Sequence, residues 1–144
     1  MRSKKSILLI ASIVIILLFS FKKYLDYQEK NLGDINSLDL EKIEGMTFKL
    51  DGFEEWRTDD KKLIEEMLSF LENYEVKKIQ NRDWDSDVSK ETSFRVEFYE
   101  KERITHMVIH EDRMNVMGKT SGYYKILNGP IDLEWIESFQ KKQP

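Results

Sequence analysis

The chain is predicted to be an α+β domain carried behind an N-terminal transmembrane helix. One amphipathic helix, about residues 59–74, packs on an antiparallel meander sheet of about 4–5 strands, and a short helix ends the chain. Three observations predict this. An unbroken apolar run fills residues 7–21, apolar residues between 63 and 74 recur at helical spacing, and residues 94–127 alternate with period two between short turns.

The apolar run, Ile7 to Phe21, has only Ser12 and Ser20 as polar members and lies between Lys4-Lys5 and Lys22-Lys23. Fifteen helical residues rise about 22 Å, short of a ~30 Å hydrocarbon core. That length suits the hydrophobic region of a cleaved signal, yet Ala11 is the only alanine in the chain and no A-x-A-like site follows. Flanking lysines can snorkel, and Tyr24 and Tyr27 supply interfacial rings, so an uncleaved anchor is the favoured reading. A cleaved signal, and last a buried core helix, remain the alternatives. On this division residues 1–23 are anchor or signal, 24–40 a stalk into which the anchor helix can continue for a turn or two until Asn31-Leu32-Gly33 stops it, and 41–144 the domain.

Within the domain, Ile43 to Leu50 alternates as a strand, interrupted at Gly45. Thr58-Asp59-Asp60 offers N-caps for a helix whose apolar stripe is Leu63, Met67, Phe70, Leu71 and Tyr74. Glu75 to Ile79 reads as a short strand or an exit turn. Phe94, Val96 and Phe98 share one face of the next strand. On the strand after it, Ile104, His106, Val108 and His110 share one face, and Met107 and Ile109 the other. Met114 and Val116 mark a third strand and Tyr123 to Leu127 a fourth, with turns at Glu100–Arg103 and His110–Arg113. After Asn128-Gly129-Pro130, Asp132 caps a closing helix that turns Leu133, Ile136 and Phe139 or Gln140 inward.

Composition narrows function more than any motif does. With no cysteine, disulfides, thiolate metal sites, a cysteine nucleophile and a lipidated cysteine are all excluded. Residues 1–23 carry five Lys/Arg and no acid, which leaves 18 Lys/Arg against 27 Asp/Glu, a net of −9, for the rest. Positive charge stays on the cytoplasmic side, so the tail is expected inside and the acidic domain extracytoplasmic, or secreted if the signal is cleaved. A domain of that charge is a poor partner for nucleic acid, which is set aside.

The most suggestive motif is Asp83-Trp84-Asp85-Ser86-Asp87. Asp83, Asp85 and Asp87 would be the first three ligands of a calcium loop, with Glu91 at position nine. Val88 stands where that loop needs glycine, and Phe94 where it needs a bidentate glutamate. With 27 acids in 144 residues, such a triple is expected about once by chance. A solvated acidic loop is therefore expected, with the three aspartates kept as the candidate ion ligands. Trp84 either tucks beneath the loop or offers an exposed ring to a partner.

His106 and His110, the only histidines, stand about 13 Å apart on a strand, too far for one zinc ion. Gly118-Lys119-Thr120 lacks the upstream glycine of a phosphate loop, since Arg113 occupies that position. There is no G-x-S-x-G, and no carboxylate pair can be singled out among so many, so no catalytic residue and no cofactor is assigned and no enzyme is expected. The local hint of function is the sheet face that no predicted helix covers. Its candidates are Tyr99, Met107, Ile109 and Met117, which with Trp84 form the expected interaction surface for another cell-surface protein.

The layout as a whole, a basic start and apolar anchor, then "TDDKKLIEEML", then "FRVEFYEKERITHMVIHEDRMNVMG" and "GYYKILNGPIDLEWIESF", resembles small exported proteins of unassigned function from Gram-positive bacteria. Many of those are lipoproteins, and this chain departs from them in lacking the anchoring cysteine. The resemblance implies export and a non-catalytic role in binding or sensing at the cell surface. A small ligand- or calcium-responsive module is the alternative, and a small hydrolase the third reading.

Overall fold

A computed structural model describes residues 4–84 and 91–143. The first helix, α1 (Lys4–Asp26), runs past the apolar stretch through Lys22, Lys23 and Tyr24. Its 23 residues rise about 34 Å, enough for a ~30 Å hydrocarbon core, so the shortness of the apolar run is made up by its flanks. It is long and apolar enough to cross a membrane, and none of that span is buried against the rest of the chain.

Among the described residues, eight strands form one antiparallel sheet in the order β1-β4-β8-β7-β6-β5-β2-β3. They are β1 (Glu29–Asn31), β2 (Ile43–Leu50), β3 (Trp56–Thr58), β4 (Glu75–Ile79), β5 (Phe94–Glu100), β6 (Arg103–Ile109), β7 (Arg113–Met117) and β8 (Gly122–Ile126). The expected meander is β5 to β8, and β2 adds to one side of it and β4 to the other. The expected 4–5 strands fall short of eight because Glu75–Ile79, readable as strand or exit turn, is the strand β4, and because β1 and β3 are each three residues long, too short for alternation to reveal them.

Helices α2 (Lys61–Glu72) and α3 (Leu133–Gln140) cover the sheet's inner face. Asp60 caps α2 by accepting from the Lys62 N–H at 2.9 Å, and Asp132 caps α3 by accepting from the Trp135 N–H at 3.0 Å. The buried stripe of α2 is Ile64, Met67, Phe70 and Leu71, with Leu63 only partly buried, so the helix is turned slightly from the expected stripe. Trp135 stacks on Phe70 at 3.8 Å and on Phe139 at 5.1 Å, joining the two helices. Phe139 meets Phe48 edge-on at 5.2 Å, which seats α3 on β2. The buried Gln140 amide is satisfied: it accepts from the Trp56 indole N–H at 3.2 Å and donates to the Glu54 carbonyl at 3.1 Å.

Residues 24–40 do not form the free stalk expected of them. β1 is hydrogen-bonded into the sheet beside β4, and Leu32 and Ile35 of the 3-10 segment that follows belong to the core. Burying two aliphatic side chains contributes about 1.5–3 kcal/mol each, which holds the segment down. Only Tyr27 and Gln28 separate α1 from β1.

Candidate functional site: the outer face of the sheet

The outer face carries no helix among the described residues, and register decides what it displays. Pairing of Phe94 with Ile109 and Val96 with Met107 puts those four on the inner face. Met107 and Ile109, expected on the uncovered face, are fully buried beneath the helices, and they are removed from the candidate surface. Both faces of β6 carry two aliphatic residues, so alternation alone did not tell them apart. The pairing partner did. The outer face of β6 is Ile104, His106 and Val108. Tyr99 and Met117 fall on that face as expected, and Met117 is 48 % and Ile104 54 % exposed.

A hydrogen-bonded chain crosses this face over three strands. The Thr47 hydroxyl of β2 donates to the Tyr99 hydroxyl at 3.1 Å, and Tyr99 donates to one Glu97 oxygen at 2.5 Å. The other Glu97 oxygen meets His106 Nδ1 at 2.7 Å. The Arg57 guanidinium lies over the Tyr99 ring, 4.5 Å from its centroid. Gly45 pairs with Tyr99, and a Cβ there would press on the Thr58 carbonyl at 3.3 Å while meeting the Arg57 guanidinium only at ordinary contact. The Tyr99 hydroxyl above all holds the Glu97 carboxyl below its ordinary range; burial opposes it, and His106 adds to the lowering. The same bond to Glu97 holds the Tyr99 phenol above its ordinary range. With Glu97 ionised, the neutral imidazole carries its proton on Nδ1 and leaves Nε2 as an acceptor. The set can position a proton and present a donor-acceptor pattern between apolar side chains.

Four residues along, His110 has a different setting on the same face. The chain leaving β4 turns back through a 3-10 turn at Asn81–Asp83 and lays Trp84 over the far end of the sheet. The Trp84 ring is half-buried, 4.6 Å from Tyr123 and 5.9 Å from His110, with the Arg113 guanidinium 5.3 Å away. Trp84 therefore tucks against the fold. Beneath it Arg113 donates to Glu91 at 2.7 Å, while His110 Nδ1 is 3.7 Å from the other Glu91 oxygen and has no hydrogen-bond partner among the described residues. Burial lowers the His110 pKa; Glu91 opposes this, Arg113 adds to it, and Asp51 and Asp112 oppose it more weakly.

Asp83 is exposed, 3.8 Å from the Arg82 guanidinium, while Asp85 and Asp87 lie outside the described residues. Among the described residues no group of three or more His, Asp or Glu side chains is close enough to hold a metal ion. Sequence reasoning missed Thr47, Arg57 and Glu97. Glu97 was within reach, because Glu97 and His106 stand three residues outside the two ends of the turn Glu100–Arg103. Comparison with family models, characterised proteins and solved structures returned no match to this chain.

Proposed function

We propose that the protein is a membrane-tethered extracytoplasmic domain that binds another cell-surface protein through the open half of its outer sheet face. The observation that carries this reading is the helix-free face on which Ile104 and Met117 stand exposed beside the Thr47–Tyr99–Glu97–His106 chain. Apolar side chains next to fixed donors and acceptors are the composition of a protein-binding patch. Five basic residues and no acid in residues 1–23, against a net of −9 beyond them, favour a cytoplasmic N-terminus and an exported domain.

The test is photocrosslinking from membranes, with the reactive group placed at Ile104 or Met117 and, as a control, at Lys141 at the end of α3. Partner capture is expected from the first two positions and lost in an Ile104→Glu, Met117→Glu double variant. Equal capture from Lys141, or capture that survives the double variant, would overturn the assignment of the face. A protease-accessible N-terminus and protected domain in intact cells would overturn the orientation.

A further inference from the structure

The junction of α1 and the sheet carries a second site. A cleft there is lined by Ser20, Lys23 and Tyr24 of the helix end, by Tyr27 and Gln28 of the connection, and by Lys77 and Gln80 of β4 and its exit. Ser20, Lys23 and Tyr24 stand at i, i+3 and i+4, so one stripe of the helix end borders the folded domain. Among the described residues no carboxylate lines this cleft; Glu29 stands opposite Lys77 in the β1–β4 ladder and lines the neighbouring cleft with Lys30, Asn31 and Glu75. Its polar groups are two ammoniums, two phenol hydroxyls, two amides and a serine hydroxyl. Two ammoniums converging on one cleft favour an anion with several acceptor oxygens.

Position narrows the anion. Ser20 still belongs to the apolar stretch, whereas Tyr24 and Tyr27 are interfacial residues at its end, so the cleft opens at headgroup depth when α1 spans a bilayer. The site thus rests on the membrane reading above. We propose that this cleft holds the phosphodiester headgroup of an anionic phospholipid. Lys23 from the helix and Lys77 from the sheet serve its non-bridging oxygens, the amides of Gln28 and Gln80 its polar substituent, and the acyl chains run down the helix past Ser20. The domain as a whole is acidic and would be repelled by an anionic surface. A local two-lysine clamp at the point of emergence overcomes that repulsion at one place and fixes which edge of the sheet faces the lipid.

The test uses the full chain in mild detergent, with lipid binding read by native mass spectrometry against added phosphatidylglycerol or phosphatidylcholine. The parent is expected to retain phosphatidylglycerol in preference, and Lys77→Glu to weaken that retention about tenfold, the loss of one charge-assisted contact. Lys77→Arg should keep it. Lys62→Glu, which makes the same change in net charge on the exposed first turn of α2, should also keep it. Loss in Lys62→Glu equal to that in Lys77→Glu, or equal retention of both lipids by the parent, would overturn the site. Inorganic phosphate at matched concentration should not displace the lipid; displacement would assign the cleft to a soluble anion and overturn the lipid. Alkaline extraction of native membranes separates the two proposals. A chain that resists extraction yet binds lipid equally in parent and Lys77→Glu keeps its anchor and loses this site, whereas an extracted chain loses both.

Discussion

His106 and His110 sit on the same sheet face, each beside a glutamate, and meet opposite conditions. His106 lies on the open half, where Glu97 is within hydrogen-bond distance and Tyr99 braces the carboxylate from its other oxygen. His110 lies under Trp84, with Glu91 at 3.7 Å and already engaged by Arg113. At 2.7 Å a carboxylate and an imidazole share a proton; at 3.7 Å, out of water, the charged imidazole loses hydration without gaining a bond. Geometry within one ångström, together with one indole ring, decides whether a histidine on this sheet is a presented polar group or a buried neutral one.

The sharpest way to break this difference is to remove the ring. Trp84→Ala should destabilise the domain by about 2–3 kcal/mol, below the loss for a fully buried tryptophan because Trp84 keeps part of its exposure. It should also return the His110 titration toward an ordinary histidine. Chemical denaturation gives the first effect and histidine resonances followed against pH give the second. An unchanged His110 titration would mean that the ring does not cause the desolvation.

Next in size is the pH dependence of stability. The folded pKa of His110 lies below its unfolded value of 6.5, so the unfolded chain binds more protons in the window between them. Stability is therefore complete above about pH 6.5 and falls as the pH drops through 6.5 toward the lowered folded value. His110→Gln should flatten the Tm profile between pH 7 and 5. A profile that this substitution leaves unchanged would show that His110 does not carry the loss of stability in acid.

The smallest effect is expected on the open half. Glu97→Gln should cost about 1 kcal/mol at neutral pH, because both of its bonds are to partly wetted groups. Glu97 has a depressed folded pKa, so its contribution is present above about 4.5 and is lost as pH falls through the lower folded value. Parent and variant curves should converge there; a gap that stays constant as the pH falls from neutral into acid would show that the carboxylate charge is not what stabilises the site.

These sites also mark how far the sequence could be read. The Glu97–His106 contact follows from a two-residue turn and a strict ladder, information that lies within ten residues of chain. The capping of both helices by Asp60 and Asp132, and the buried face of β5, are equally local. The Trp84–His110 contact joins segments 26 residues apart through a chain that doubles back over the sheet, and nothing in the period of either segment announces it. Likewise Leu32 and Ile35 carried no periodic signal, because an irregular 3-10 segment has no repeating face, so a piece of the core was read as stalk.

The two-residue connection between α1 and β1 sets the terms on which this domain meets anything else. Backbone bonds from Tyr27 to Tyr24 and from Gln28 to Leu25 close the helix up to the sheet, so the joint has no slack for swivelling. If α1 spans a bilayer as proposed, such a domain neither reaches outward nor tumbles. It would drift in the plane with its heading set by the helix, and a search for the proposed partner would become two-dimensional. Encounters then depend on crowding within the membrane more than on bulk concentration, and a modest contact area suffices where a soluble domain would need a larger one.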